Sequence, residues 1–179
     1  WLGRGRLSGP VLVLAMLCIA AAVGPGVRRA EAFAGGDGSE SHPWEIATAE
    51  QLDDVRNYLN DHFKLIADID LTEYLSESGA GYDDGKGWKP IGDPLVANFT
   101  GTFDGNGHSI SGLFINRSSA VSEVEVGLFG RVYQATIQNV TLLDLDVTGI
   151  QQDGYAAVGG LVGVNIEGTI SGSTATGVV

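Results

Sequence analysis

The sequence is poor in cysteine and in basic side chains. Its 179 residues include one cysteine, Cys18, and 10 lysines and arginines against 22 aspartates and glutamates. Cys18 lies in an apolar run near the N-terminus and follows Leu17, which is too large for a bacterial lipoprotein site, so we expect no lipid anchor. The rest of the chain has no thiol for a disulfide or a thiolate metal site. Packing and hydrogen bonds alone are expected to stabilise it.

Sequence motifs of common enzymes are also missing. The chain contains no His-Glu-x-x-His zinc site, no Gly-rich phosphate loop and no nucleophile elbow. We therefore expect no metal and no cofactor, and we predict that the chain is not an enzyme.

The shortage of basic residues is strongest after the N-terminal segment. From Phe33 onward the chain has 6 basic and 21 acidic residues, a formal net charge of -15. Such a surface repels nucleic acid and anionic membranes, and it keeps a protein soluble outside the cell.

The N-terminal segment has the order of a secretory signal peptide. Arg4 and Arg6 precede an uncharged apolar run at 11–23, which a Gly-Pro-Gly breaker and small residues follow. A membrane span needs about 20 apolar residues, and this run is shorter. We therefore expect export with cleavage after Ala32 or Ala34, rather than a retained membrane anchor.

Glycine, by contrast, is abundant, at 27 of 179 residues. Together with many Val, Ile, Leu, Phe and Thr residues, it predicts short strands joined by tight turns. The Gly-, Ser- and Asp-rich segment 76–87 is predicted to be an exposed loop whose acids, Asp83 and Asp84, increase solubility. The predicted strands are 43–47, 64–71, 88–91, 99–103, 109–115, 126–129, 136–147 and 158–162.

One short amphipathic helix is predicted between Thr48 and Asn60. Thr48 is a favoured N-cap, and Gln51 three residues later completes a capping box. Leu52 and Val55 recur at helical spacing on one face. A helix of about three turns is unstable alone, so we expect it to cover the open end of a stack of strands.

Internal repetition favours a solenoid. The motif at 127–130 recurs at 160–163, 33 residues later, and a looser copy at 109–113 aligns with 136–140 and 169–173. A repeat of this length cannot bury its own apolar face, and stacking of successive repeats buries it. A sandwich of β-hairpins is the alternative, and it predicts two-residue turns at shorter spacing.

These repeats resemble the GLUG motif of bacterial surface and adhesin-like proteins. Segments 44–52, 63–71, 88–92 and 99–108 resemble the same family, so the likeness extends from Trp44 to the C-terminus. The motif residues are Gly127, Leu128, Phe129 and Gly130 in one copy and Gly160, Leu161, Val162, Gly163, Asn165, Gly168, Thr169 and Ile170 in the other.

The resemblance implies an all-β fold, a right-handed parallel β-helix (solenoid) with a short N-terminal capping α-helix. We expect a signal peptide at 1–34, a linker and cap helix at 35–63, and GLUG repeats at 64–179. The start at Trp1 and the end within a repeat indicate a fragment with further modules downstream. Some relatives carry a zinc peptidase domain, but its motif is missing from this sequence.

The densest polar motif is the segment 104–108, Asp-Gly-Asn-Gly-His. It could bind calcium through Asp104 and Asn106, or use His108 as a general base. Calcium needs more oxygen ligands than this segment offers, whereas Asp, Asn and Gly in this order are typical of a turn. We predict a structural turn.

Two pairs of carboxylates lie two residues apart. Asp68 and Asp70 alternate with apolar residues, as do Asp144 and Asp146, so each pair is predicted to face outward from its strand. Paired carboxylates also cleave sugars on β-helix enzymes, which leaves a polysaccharide lyase or glycosidase, or the noncatalytic part of one, as the alternative function.

Four aromatic residues could form a carbohydrate-stacking platform. Trp88 is instead predicted to pack in the first coils, with Tyr82, Tyr133 and Tyr155 near loop edges. We predict a secreted or cell-surface β-solenoid that acts as a scaffold, stalk or adhesin. Its partner would be an extracellular ligand, a carbohydrate or a host or cell-surface protein, with no nucleic acid and no membrane after cleavage.

Overall fold

The computed structural model describes residues 33–93, 95–119, 124–152 and 154–179. The predicted signal peptide lies outside the described residues, except for Phe33 and Ala34. The described residues are mainly β-strands, with one short α-helix, α1, near the N-terminal end. The all-β prediction is confirmed.

The strands are short, apart from an 11-residue strand at Thr141–Gln151. They are β1 (Trp44–Ile46), β2 (His62–Leu65), β3 (Ile69–Asp70), β4 (Thr102–Asp104), β5 (Ser109–Ser111), β6 (Phe114–Ser119), β7 (Val124–Val126), β8 (Phe129–Tyr133), β9 (Thr136–Gln138), β10 (Thr141–Gln151), β11 (Ala156–Val158), β12 (Val162–Ile166), β13 (Thr169–Ser171) and β14 (Thr174–Val178).

Strands distant in sequence pair in parallel. One five-stranded sheet has the order β1-β2-β4-β9-β13, and a second sheet runs β14-β10-β5-β3, with β6 also on β10. Two further pairs, β7 with β11 and β8 with β12, are parallel as well. Each return of the chain to a sheet adds one strand beside an earlier one.

Apolar side chains stand in register across the first sheet. Trp44 pairs with Phe63, Phe63 with Phe103, Phe103 with Ile137 and Ile137 with Ile170. The first four of these side chains are buried, at 3% exposure or less. Burial of one row of large apolar side chains therefore sets the register of this sheet.

The 33-residue repeat is visible in the pairing. Val162 lies opposite Phe129, and Ile170 lies opposite Ile137, with 33 residues between the partners in each case. The spacing predicted from the two motif copies therefore equals the length of one return of the chain.

The looser third copy, at 109–113, was aligned wrongly. Strand β5 (109–111) pairs with 141–143, whereas the strand paired with 136–138 is β4 (102–104). The cause is a shared turn feature: Gly112 and Asn139 both follow a short strand and both have positive φ, 67° and 55°. Similar turn chemistry at two corners was mistaken for the same corner.

Helix α1 is shorter than predicted. It spans Ala49–Asp54 and continues as one 3₁₀ turn at Val55–Asn57. Tyr58 then leaves the helical region, with φ -139° and ψ 47°. Leu52 and Val55 are fully buried, so the predicted apolar face is confirmed. No helix in the described part of the chain is long and apolar enough to cross a membrane.

The predicted N-cap is confirmed, but the capping box differs. The Thr48 hydroxyl accepts a hydrogen bond from the Gln51 amide at 3.3 Å. The Gln51 side chain, however, accepts from the Ala47 amide at 2.8 Å, one residue earlier than a capping box requires. It therefore ties the helix to the end of β1.

The predicted strand at 88–91 does not form. Trp88 and Ile91 are fully buried, as a strand would place them, but the pairing is limited to single bridges such as that of Ile91 with Phe129. Pro90 lies between them and has no amide hydrogen to donate to a ladder. The segment is therefore a core segment without a continuous ladder.

A row of aromatic rings fills the centre of the core. The ring of Phe99 lies 6.2 Å from that of Phe63 and 4.9 Å from that of Phe129. The ring of Phe103 lies 5.4 Å from that of Phe129 in an edge contact. Such contacts stabilise a core beyond the area that they bury.

Candidate functional site

The second glycine of each GLUG copy provides room for a neighbouring backbone. A methyl group added to Gly130 would lie 2.6 Å from the carbonyl oxygen of Gly92. One added to Gly163 would lie 2.8 Å from the carbonyl oxygen of Gly130. The motif therefore needs glycine here because adjacent strands approach closely, the second general use of glycine besides positive φ.

The two copies bind each other through their backbones. The Leu128 amide donates to the Gly160 carbonyl at 3.0 Å, and the Phe129 amide donates to the Leu161 carbonyl at 2.9 Å. Leu128 and Phe129 are fully buried, whereas Leu161 and Val162 are half-buried. The motif residues thus lie where one repeat stacks on the next.

A small turn follows the second copy. The Asn165 side chain accepts from the Gly168 amide and donates to the Gly168 carbonyl, both at 3.0 Å. The Thr169 amide donates to the Ala135 carbonyl at 2.8 Å, where β13 with Thr169 and Ile170 begins beside β9. Asn165 and Gly168 therefore shape the corner between two strands.

Gly130→Ala is expected to lower the free energy of unfolding by about 1–3 kcal/mol, the range for inserting a group into a packed site. The clash is with backbone atoms of Gly92 and Glu125, which cannot rotate away. Urea unfolding would measure the loss. Gly154→Ala is the control, because its nearest atoms all belong to the flexible Gln151 side chain. Equal midpoints for the two variants would contradict this account of the motif.

The Asp104 motif forms the predicted turn. The Asn106 amide donates to Asp104 Oδ1 at 2.8 Å, and Asn106 and Gly107 have φ of 51° and 81°. A methyl group on Gly105 would lie 2.1 Å from the Asn139 carbonyl oxygen. In the described residues, no group of three or more His, Cys, Asp or Glu side chains could hold a metal ion.

Asp104 also connects two returns of the chain. Its Oδ2 accepts from Gln138 Nε2 at 2.8 Å, and its Oδ1 accepts from Asn139 Nδ2 at 3.0 Å. Partial burial by itself raises the pKa of Asp104, but the bonds from Asn139, Gln138 and the Asn106 amide together lower it below 3.8. The carboxylate stabilises the stack in its charged form.

Asp104→Asn is expected to cost about 1 kcal/mol at pH 7, because an amide would point a donor at the Gln138 donor. A lowered pKa means that the contribution of Asp104 is present above 3.8 and is lost as the pH falls through the folded-state pKa. The difference from the parent chain should therefore shrink below about pH 4 in urea titrations. Asp146→Asn, at an exposed carboxylate, should change stability little at any pH. A difference that persists in acid would contradict the role of charge.

Both carboxylate pairs face outward, as predicted. Asp68 and Asp70 are exposed, and each bonds a nearby amide: Ser109 for Asp68 and Thr72 for Asp70, both at 2.8 Å. Those bonds lower the pKa of both carboxyl groups. Asp144 and Asp146 are also exposed and line a shallow cavity of about 300 Å³.

His108 is held beside Asp68, with 3.4 Å between its Nδ1 and Asp68 Oδ1. Because Asp68 also bonds the Ser109 amide, the pair joins the Asp104 turn to the segment before β3. The structure therefore gives the imidazole a local partner on the surface.

The loop at 76–87 is held by Arg117. Its Nη2 donates to Asp83 Oδ2 at 2.8 Å and to the Gly87 carbonyl at 3.1 Å, and its Nε donates to the Trp88 carbonyl at 3.0 Å. Asp83 was predicted only to increase solubility, and this was wrong. The sequence separates Arg117 from Asp83 by 34 residues, so the sequence pattern gave no sign of the pair.

The aromatic residues divide as predicted. Trp88 is fully buried and donates from Nε1 to the Leu128 carbonyl at 3.1 Å. The guanidinium of Arg56 lies 5.0 Å from the centre of its ring. Tyr82, Tyr133 and Tyr155 are exposed by 42%, 38% and 53%. Trp88 belongs to the core and takes no part in a surface platform.

One pair of charged residues was missed from the sequence. The Glu125 side chain is fully buried, and Arg131 binds it through two nitrogens, with Nε 2.7 Å from Oε2. Both residues lie in strands where apolar side chains alternate, so burial of a carboxylate was not expected there.

A family comparison confirms the resemblance to GLUG-motif proteins. The model of the GLUG motif matches residues 154–179. This range contains the second motif copy in full. The first copy, 33 residues earlier, lies beside it in the parallel pairs β8 with β12 and β9 with β13.

Two curated proteins are similar over most of the chain. A Gly-rich membrane protein of Evansella cellulosilytica is 44% identical over 138 residues, which is 74% of this chain and 14% of that protein. Halomucin of Haloquadratum walsbyi is 36% identical over 151 residues, 79% of this chain and 2% of that protein. The chain thus spans a small part of the length of both relatives. No solved structure matches it.

Proposed function

We propose that this chain, which carries the GLUG motif, is a noncatalytic module of a cell-surface protein and acts as a scaffold, stalk or adhesin. Its parallel sheets would be the faces of a right-handed β-solenoid, with α1 covering the first coil. The observation that carries the proposal is the 33-residue register between Ile137 and Ile170 and between Phe129 and Val162.

A stack of this kind suits a mechanical role. Each coil adds strands beside those of the previous coil, so further repeats lengthen the body without changing its cross-section. The stacking contacts are backbone hydrogen bonds, buried aliphatic and aromatic side chains and the polar bonds of Asp104. Such contacts supply rigidity, and the side chains that face outward remain available for binding.

The surface location has two supports. The names of the relatives are a Gly-rich membrane protein and halomucin. The sequence of 1–32 has the order of a secretory signal peptide. Cleavage after Ala32 is favoured over cleavage after Ala34, because Phe33 is buried at 3% exposure against Trp44. N-terminal sequencing of the exported protein should begin at Phe33.

An activity assay separates this proposal from the carbohydrate-active alternative. The full-length exported protein would be incubated with neutral and acidic polysaccharides, and released reducing ends and unsaturated products would be measured. Surface exposure would be tested in parallel by protease shaving of intact cells. Product release would overturn the noncatalytic proposal, and a protein that shaving never reaches would overturn the surface location.

A further inference from the structure

A groove beside β6 collects basic side chains of this acidic protein. It has a volume of about 380 Å³ and is lined by segments 86–95 and 116–119 and by strand β7. Lys86, Lys89 and Arg117 line it, which is half of the 6 basic residues from Phe33 onward. The volume lies within the range of small-ligand sites, about 300–1,000 Å³.

The acidic side chains in the groove are already bound. Glu125 is held by the guanidinium of Arg131, which forms two bonds with its carboxylate. Asp93 accepts the Leu95 amide at 2.8 Å and so belongs to its own turn. These contacts reduce the negative potential that the two carboxylates would otherwise present to a ligand.

Two lysines remain available to a ligand. Lys89 is exposed, and it forms no ion pair with the described residues. The Lys86 side chain is 53% exposed, and its nearest described acid, Asp83, is 3.9 Å away and also bound by Arg117. An ammonium group so placed can donate hydrogen bonds to an anion.

The other walls suit a sugar. Asn116 and Ser118 alternate outward on β6 and are exposed, so amide and hydroxyl groups face the groove. Pro90 and Leu95, the latter 81% exposed, supply apolar surface. Among the described residues that line the groove none is aromatic, so a nucleobase would have no stacking surface.

We infer that this groove binds an anionic oligosaccharide. Lys86 and Lys89 would bind its carboxylate or sulfate groups, Asn116 and Ser118 its hydroxyl groups, and Pro90 and Leu95 the apolar faces of its rings. The net charge of the chain does not prevent this, because salt screens charges beyond about 8 Å at physiological ionic strength. The site gives the proposed surface module a ligand class, and it rests on that proposal only for its access to extracellular sugars.

Calorimetry on the full-length exported protein tests the site. Trigalacturonate is the carboxylated probe, its methyl ester is the uncharged probe of the same rings, and a sulfated galactan oligosaccharide of equal length is the third. We expect trigalacturonate or the sulfated probe to bind at least about tenfold more tightly than the ester. Comparison of the two charged probes identifies the anionic group. The affinity for the charged probe should fall as sodium chloride is added.

The double variant Lys86→Gln/Lys89→Gln should lower the affinity for the charged probe about tenfold or more and leave that for the ester unchanged. Lys64→Gln is the matched control, since Lys64 lies outside the groove and pairs with Glu45 at 3.0 Å. Circular dichroism would show that the exposed substitutions preserve the fold.

Equal affinity of the charged and uncharged probes would overturn the inference, as would unchanged affinity in the double variant or no binding of any probe. None of these results bears on whether the protein is at the cell surface or cleaves polysaccharides. The failure of this inference is therefore distinguishable from the failure of the proposed function.

Discussion

Arg131→Met is expected to lower the free energy of unfolding by about 3 kcal/mol, near the lower end of the range for breaking a buried ion pair. The substitution leaves the Glu125 carboxylate with its side chain fully buried and without the two bonds from Arg131. The Arg131 side chain is 23% exposed, so some water reaches the pair and limits the loss. Urea unfolding followed by tryptophan fluorescence would measure it.

A double variant separates charge from packing. Glu125→Gln/Arg131→Met removes both charges, and we expect it to be more stable than Arg131→Met alone, because no isolated buried charge remains. Lys64→Met is the control: its pair with Glu45 is exposed, and exposed pairs contribute about 0–1 kcal/mol. If Arg131→Met and Lys64→Met lost the same stability, the buried pair would have no special role.

Local patterns predicted much of the fold. Thr48 marked the helix start, the alternation around Asp68 and Asp70 gave the outward face, and two motif copies gave the 33-residue register. In each case the information lies within a few residues or repeats in the sequence, so chain order alone reveals it.

Contacts between distant segments were not predictable in the same way. Arg117 bonds Asp83, 34 residues earlier, across a loop whose length no periodicity constrains. The groove likewise brings together Lys86, Lys89 and Asn116, which sequence inspection described as scattered. Only the folded chain shows which charges lie side by side, because side chains far apart in sequence leave no mark on local composition.

The place of Phe33 combines both kinds of information. The sequence offered two cleavage sites, after Ala32 and after Ala34, and gave no reason to prefer one. In the structure the Phe33 ring stacks on that of Trp44 at 5.0 Å and contacts Phe63 at 5.7 Å. The Ala34 amide donates to the Glu45 carbonyl at 2.9 Å, which ties this segment to β1.

Phe33→Ala is therefore expected to lower the free energy of unfolding by about 3–5 kcal/mol, the usual cost of removing a buried phenylalanine ring. The loss combines the apolar area of a ring that is 3% exposed with the space left beside Trp44 at the first strand. Urea unfolding of the exported protein would measure it, with Leu95→Ala, at an 81% exposed side chain, as the control.

A chain cut after Ala34 would lack the same ring and should show a loss of at least this size. Parent-like stability of Phe33→Ala would mean that the first strand does not need this ring, and it would remove the reason to place the cut before Phe33. A large loss, with Leu95→Ala unchanged, would make Phe33 the first residue that the exported fold requires, since its ring covers the edge from which the later strands are stacked.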